Sequence, residues 1–366
     1  MHKPSTFKLQ FAQHARDARV SLTLVLFLVL PFGLLACPGN STQTVTNNGT
    51  ANANANVSVA PSPAASQPAT STTATGFDGD RAFEHVRKQV EFGPRPPGSP
   101  ELARTRDYIV GELKSYGLNV MQDEFTSQTP VGQRKMINLT AELPGESSEV
   151  IIISSHYDTK LFKKIRFVGA NDAGSSTGAL MELARVLAAR KEKPRFTYWF
   201  VFFDGEEAFC ENWEDCGKPN APDNTYGSRR YVAQLTEKKE LKRVRAMILL
   251  DMMGYKNLQF GRDDMSTTWL VDAVWQTARS LGYGDQFQDH PEGVGGDDHE
   301  PFLRAGIDSL DIIQLNTYQD ASGATYWHTA EDTLDKISPR SLKIVGDTLL
   351  ASLPRIEQHL SNKRAS

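Results

Sequence analysis

The chain has 366 residues, enough for one large α/β domain or two small ones. Its 40 Lys and Arg nearly balance its 44 Asp and Glu, for a formal net charge of −4. With no long basic run, that balance argues against a nucleic-acid or polyanion partner, and it sets no preference among substrates.

In chain order, the first segment differs in kind from the rest. Lys8, Arg16 and Arg19 precede an apolar run over 22–36 that only Thr23, Pro31 and Gly33 interrupt. A basic start followed by a short apolar core is the layout of an export signal. A spanning helix needs ~20 apolar residues, and this run is shorter and holds a proline. It ends in Leu34-Leu35-Ala36-Cys37, which resembles the bacterial lipobox, whose cysteine becomes the lipidated first residue of the mature protein. The resemblance implies a lipoprotein-type signal over 1–36. It also implies an acylated Cys37 that ties an exported, periplasm-facing protein to a bacterial membrane without spanning it. Ordinary cleavage near Ala36 would instead leave Cys37 as a spare thiol. Residues 37–77 are rich in Asn, Ala, Ser, Thr and Pro and almost free of charge. Such a stretch buries too little apolar surface to fold and reads as a flexible tether.

One folded domain is expected over 78–366. Apolar residues recur at helical spacing over 81–90 and 101–116, and Gly117 supplies the stop for the second helix. Strands are predicted over 118–125 and 136–142. Short apolar runs follow at 150–154, 196–203, 247–250 and 309–313, the signature of strands buried on both faces. Helical patterns at 176–190, 227–236, 267–281 and 339–360 separate and follow them. Strands alternating with helices predict an α/β three-layer sandwich: a mixed, mostly parallel sheet covered by helices on both faces. Cys210 and Cys216 lie in a polar stretch between two of these elements. In an oxidising compartment they can close a short disulfide loop. A zinc site at that place would lack a further cysteine or nearby histidine to complete four ligands.

In a mostly parallel sheet the functional site lies beyond the carboxyl ends of the strands. There the sequence concentrates its metal-binding chemistry. The first buried strand ends in His156-Tyr157-Asp158, and a loop then delivers Asn171-Asp172 before a helix. The next ends in Asp204-Gly205-Glu206-Glu207, the next in Asp251, and the last is followed by Trp327-His328-Thr329. The histidines His156 and His328 and the carboxylates Asp172, Glu207 and Asp251 all offer nitrogen or oxygen ligands to zinc. Glu206, beside a candidate ligand without being one, stands where a general base belongs. Taken singly, each residue has a plainer reading: Asp172 as a helix cap, a histidine as packing, Glu206 and Glu207 as a solvated loop end. All of these would have to hold at one edge of one sheet, and a shared metal site explains them together.

The same motifs carry a family resemblance. Their order, from about Arg81 to the C-terminus, is that of the co-catalytic zinc aminopeptidases and of the animal-type glutaminyl cyclases that share their fold. Asp204-Gly205-Glu206-Glu207-Ala208-Phe209, Tyr226-Gly227-Ser228-Arg229, Asp297-Asp298-His299 with Pro301-Phe302-Leu303-Arg304, and Trp327-His328-Thr329 resemble the cyclases most closely. Two places depart from the cyclase pattern. Asp311 stands where those enzymes have a histidine, and the stretch between Phe209 and Tyr226 is longer and holds both cysteines.

The cyclase resemblance implies one zinc held by Asp172, Glu207 and His328. Glu206 would shuttle the proton, Asp298 would support it, and Trp327 would wall the substrate pocket, with Trp213 a further candidate for an apolar lining. Its substrate would be a peptide with a free N-terminal glutamine, converted to pyroglutamate with release of ammonia. The aminopeptidase alternative uses nearly the same residues with two zinc ions. Asp172 bridges, His156 and Asp251 complete one ion, Glu207 and His328 the other, and Glu206 activates a water. A non-catalytic binding protein on the same fold is the third reading; every ligand position being filled speaks against it. The enzyme is expected to act as a monomer.

Overall fold

The computed structural model describes residues 76–213 and 215–365. The export signal, Cys37 and nearly all of the tether lie outside the described residues. In chain order the elements are α1 (Gly79–Phe92), α2 (Pro100–Ser115), β1 (Asn119–Thr129), β2 (Gly132–Leu143), β3 (Ser147–His156), α3 (Gly174–Ala188) and β4 (Phe196–Phe203). A small hairpin of β5 (Gly217–Lys218) and β6 (Ala221–Pro222) precedes α4 (Tyr226–Glu237) and β7 (Val244–Leu250). Then follow β8 (Phe260–Asp263), α5 (Thr268–Ser280), β9 (Phe287–Glu292), α6 (Glu300–Arg304), β10 (Ser309–Ile312) and α7 (Pro339–Ala365).

The main sheet runs β1-β2-β4-β3-β7-β10. Its β1–β2 and β2–β4 pairs are antiparallel, and β4–β3, β3–β7 and β7–β10 are parallel. This is the mixed, mostly parallel sheet that the alternating pattern predicts. Every residue of β4 is buried, as a strand covered on both faces requires. Successive side chains of a strand point to opposite faces, and the packing shows where each set goes. Ile151, Ile153, Phe200, Phe202, Ile248 and Leu250 join the core formed with α1, α2, α3, α5 and α7. Val150, Ile152, Trp199, Val201, Met247 and Leu249 join a second core with Tyr231 and Leu235 of α4 and Phe302 of α6. Burying one such side chain contributes roughly 1.5–3 kcal/mol, so both layers bind the sheet firmly.

The edge strand β1 alternates exposed and half-buried residues, the pattern of an antiparallel strand with one wet face. α1 starts at Asp78, whose carboxylate accepts from the N–H groups of Asp80 and Arg81. α2 starts at Ser99, which accepts from Leu102, with Pro100 at the first turn. Phe77 is buried ahead of α1, its ring filling the space beside Gly346 of α7. The parallel ends of β3, β4 and β7 open on the same edge of the sheet, and that edge carries the site.

Candidate active site

The exit of β4 is shaped by Asp204-Gly205-Glu206-Glu207. Gly205 has φ of 79°, and a Cβ there would lie 2.6 Å from the sulfur of Met136, so the reversal needs glycine. The turn is then clamped. Asp158 accepts from the backbone N–H of Glu206 at 3.2 Å and of Glu207 at 3.4 Å. The Glu206 carbonyl accepts from the Thr225 N–H, and the Gly205 carbonyl from the Tyr226 N–H. Asp204 accepts from the Ile137 N–H, tying the turn to β2. The two glutamates are thus fixed by backbone bonds before either meets a ligand.

The loop before α3 delivers Asp172. No side chain caps α3, whose N-cap residue is Ala173, so Asp172 is free to serve the site rather than the helix. Asp332 accepts from the Asn171 and Asp172 N–H groups at 2.8 and 3.1 Å and from the Tyr318 hydroxyl at 2.7 Å. The wholly buried Arg95 donates to the carbonyls of Val168 and Gly169, and Asn171 accepts from the Gly254 N–H. His328 has a left-handed φ of 57°, sparsely populated for a residue with a side chain. Its ring is stacked on Trp327 with centroids 3.9 Å apart and flanked edge-on by Phe162 and Phe167.

These elements bring the expected ligands together in two groups that share Asp172. In one, His328 Nε2 lies 3.4 Å from Asp172 Oδ2 and 3.2 Å from Glu207 Oε2. In the other, His156 Nε2 lies 3.3 Å from Asp172 Oδ1 and 3.3 Å from Asp251 Oδ1. Within each group the donor atoms lie within 4.8 Å of one another. Ligands on a tetrahedral zinc with bonds near 2.0–2.2 Å stand roughly 3.3–3.6 Å apart, so both groups fit that ion. Both ring nitrogens of buried His156 and Oε2 of Glu207 lack a hydrogen-bond partner among the described residues. Buried polar atoms in that condition are costly, and coordination would satisfy them.

Glu206 belongs to neither group. Its Oε2 lies 3.6 Å from His156 Nδ1. Burial pushes its carboxyl well above the usual range; Asp297, Glu207 and Asp298 push the same way, against His156. For His328, burial acts downward, but the Glu207 and Asp172 carboxylates outweigh it and raise the ring to about 9. Burial, aided by Asp297 and Asp172 and opposed by His156, brings Asp251 to about 7. So many buried carboxylates raise one another's proton affinity, and a divalent cation between them relieves that repulsion.

A cavity of about 750 Å³ opens over these groups. Asp172, Glu207, Asp251 and His328 lie in its wall beside Glu206, and Phe162, Trp213, Trp327, Ile313 and Leu315 supply apolar surface. Asp298 is the residue expected at the site, but it is wholly buried and absent from the cavity lining, and its neighbour Asp297 lines the cavity instead. Adjacent carboxylates in a loop carry no sign of which one faces inward. Asp297 is therefore a site residue the sequence reading missed, as are Asp158, Asp332 and Arg95, which hold the ligand loops. Asp311, at the position where cyclases have a histidine, is buried in β10 with His299 Nδ1 3.8 Å from its Oδ2. His299 Nε2 lies 3.2 Å from Asp263, so a histidine reaches this cluster from the neighbouring loop. Cys210 and Cys216 are disulfide-bonded, which removes them as metal ligands.

The fold and site define a metal-dependent enzyme whose donor groups gather at one edge of a mixed, mostly parallel sheet. The sequence matches the peptidase family M28 over residues 138–353, and the chain belongs to that family. It is similar to a glutaminyl-peptide cyclotransferase-like protein of Bos taurus, 29% identical over 67% of this chain and 67% of the relative. The crystal structure of a glutaminyl cyclase from an Acidobacteriales bacterium superposes with a TM-score of 0.71 at 36% identity, covering 81% of this chain and all of that one. A Zn-dependent exopeptidase from Parabacteroides distasonis superposes with a TM-score of 0.68 at 29% identity, over 76% of this chain and 98% of that one.

Proposed function

We propose that the chain is a zinc-dependent glutaminyl-peptide cyclotransferase that converts N-terminal glutamine of peptides to pyroglutamate with release of ammonia. The observation that carries this reading is the buried carboxylate of Glu206, next in sequence to Glu207, standing outside both donor groups in the lining of an aromatic-walled cavity. The similarity to cyclases over most of the chain supports it. Zinc held by Asp172, Glu207 and His328 would act as a Lewis acid on the side-chain amide carbonyl of the glutamine.

The remaining work falls to the chain's own residues. Glu206 takes a proton from the attacking α-amine as the nitrogen bonds to the side-chain carbonyl carbon, and returns it to the departing amide nitrogen. One C–N bond forms, one breaks, and ammonia leaves. Its raised proton affinity suits a group that must both accept and give a proton. Asp298 supports this exchange from behind, and Asp297 does so from the cavity wall. Trp327, stacked on His328, and Trp213 cover the reacting atoms with apolar surface. That surface excludes water, which would otherwise compete with the amine.

The intact second group, His156-Asp172-Asp251, favours one rival reading: a two-zinc aminopeptidase in which Glu206 activates water. Mass spectrometry of a Gln-initiated peptide with the zinc-loaded protein decides. Loss of ammonia from an otherwise intact peptide supports the cyclase; free glutamine and a shortened peptide overturn it in favour of the peptidase.

We also propose export and acylation at Cys37, supported by the basic start, the apolar run and the lipobox-like tetrapeptide. Among the described residues no helix is long and apolar enough to cross a membrane. Acylation predicts that Cys37→Ala moves the protein from the membrane to the soluble fraction; retention in the membrane fraction would count against it.

A further inference from the structure

Behind the cavity wall lies a second buried cluster that belongs to neither donor group. Asp263 ends β8, Asp311 sits in β10, and His299 stands at the start of α6; they are 4, 1 and 0% exposed. Ser266 ties two of them together, donating from Oγ to Asp263 Oδ2 at 2.7 Å and accepting from the Asp311 N–H at 2.8 Å. His299 bridges the same two, with Nε2 3.2 Å from Asp263 Oδ2 and Nδ1 3.8 Å from Asp311 Oδ2. The Asp311 carboxyl in turn meets that of Asp297 in a side-chain hydrogen bond. Of these groups only Asp297 lines the cavity. Among the described residues their donor atoms make no set that could hold a metal ion, so a proton rather than a cation joins the carboxyl groups.

Two carboxyl groups bond to each other only when one carries a proton, because an ionised carboxylate is an acceptor alone. The surroundings decide which one holds it. Asp297 accepts from the Asp298 N–H, whereas neither oxygen of Asp311 has a donor among the described residues. A buried carboxylate without a donor is costly as an ion. Burial raises the Asp311 carboxyl well above the usual range, and the charges of Asp297, Asp263 and Asp251 add to this. Burial also raises Asp297, but His299, the Asp298 N–H and the bond from Asp311 act against it. The proton therefore sits on Asp311, and Asp297 is the acceptor.

We infer that Asp311 is a positioning residue: it donates its carboxyl proton to Asp297 and so fixes that carboxylate in the cavity wall, while His299 and Asp263 hold Asp311 from behind. This deepens the proposed function and rests on it only for what Asp297 does there, which is to support the proton exchange of Glu206. Asp311 lies outside the cavity lining and reaches the chemistry only through the direction in which Asp297 points. Loss of the bond acts on kcat, since a misplacement of about 1 Å can cost a hundredfold, and leaves KM and metal content little changed.

The test compares two substitutions. Asp311→Asn keeps the shape and an N–H donor for Asp297, and Asp311→Ala removes the donor. In the zinc-loaded protein, kcat for Gln-initiated peptides is expected to stay within about threefold of wild type in the first and to fall roughly ten- to hundredfold in the second, at unchanged zinc content. Equal kcat in all three proteins, or an equal loss in both variants, overturns the proposal. Infrared difference spectra without substrate test it apart from the cyclase reading and from any failure of the alanine variant to fold. Wild type minus Asp311→Asn is expected to show the C=O stretch of a protonated carboxyl, and Asp297→Asn is expected to shift that band. Carboxylate bands alone in the first spectrum, or an unmoved band in the second, overturn the proposal even if glutamine peptides are cyclised. An unmoved band in His299→Gln overturns the support assigned to His299.

Discussion

Replacing Glu206 by glutamine exchanges one carboxylate oxygen for an amide nitrogen and changes almost no volume, so the structure defines what must follow. The residue is 5% exposed, its backbone N–H is held by Asp158, and its carboxylate is 3.6 Å from His156. Glutamine fits the same space and keeps the clamp. What it cannot do is take a proton from the substrate amine and return it to the leaving nitrogen. General acid–base transfer by a positioned group contributes about 10²–10⁴-fold, or roughly 3–5 kcal/mol of barrier. Turnover of Gln-initiated peptides, followed by ammonia release, is expected to fall by that factor with KM little changed. Metal content is expected to stay at the wild-type value, because Glu206 is in neither donor group. The unfolding midpoint should hold or rise, since burial disfavours the charged form of this carboxyl. Normal turnover in a variant with full metal content would refute the assignment of Glu206. Lost turnover together with lost metal would show that it is a ligand.

Four further outcomes test other parts of the structure. His328→Ala removes one donor of the Asp172-Glu207-His328 group and is expected to abolish the rise in unfolding midpoint that zinc gives the wild type, about 2.7 kcal/mol at a hundredfold excess over Kd; differential scanning fluorimetry with and without chelator reads it. Asp251→Asn weakens only the His156-Asp172-Asp251 group, so elemental analysis should show one zinc per chain with cyclisation retained if a single ion works, whereas a loss of both zinc and activity points to the two-ion peptidase. Burial, helped by Arg81 and Arg185 and opposed by Glu84, lowers His85 to about 4. Between that value and its ordinary 6.5 the unfolded chain holds the extra proton, so stability from this group is full above pH 6.5 and is lost as pH falls towards 4; urea titrations of wild type and His85→Gln should differ in their pH dependence by roughly 3 kcal/mol across that window. Gly227→Ala would set a Cβ 2.6 Å from the Asp204 carbonyl and 2.7 Å from Asn138 Oδ1, and is expected to cost about 1–3 kcal/mol by overpacking, measured by the same titration.

What was legible in the sequence follows from where the information is local. β4 could be read because all eight of its residues are buried, and its end is marked by Asp204-Gly205. β1 was read only as far as Phe125, although the strand runs to Thr129. Its last residues are polar and alternate with solvent, and they are strand because β2 pairs with them to the turn, Thr129 against Gly132. The pair β8–β9 was missed because each strand is short and mixed in character and β9 contains Pro291; its two members, 27 residues apart at Phe260 and Phe287, make sense only together.

The site divides along the same line. The sequence singles out His156, Asp172, Glu207, Asp251 and His328 because they lie at strand ends or in the loops beyond them, where a mostly parallel sheet gathers its site, and the structure brings them into two donor groups. Their supports were not legible there. Asp332 holds the backbone of Asn171 and Asp172 from 161 and 160 residues away, and nothing in either segment announces the other. That contact orients the one residue common to both donor groups, and Arg95 braces the same loop through the carbonyls of Val168 and Gly169. Burial pushes the Asp332 carboxyl to about 7, with the Asp172 charge adding to it, while the bonds from Asn171, Tyr318 and Asp172 pull it back. A buried carboxylate of this kind persists only where its hydrogen bonds are complete. The precision of the site therefore rests on long-range pairs that hold backbone, while the ligand types themselves rest on short motifs. Changing a ligand should remove chemistry outright; changing Asp332 should leave every ligand present and misplace the one they share.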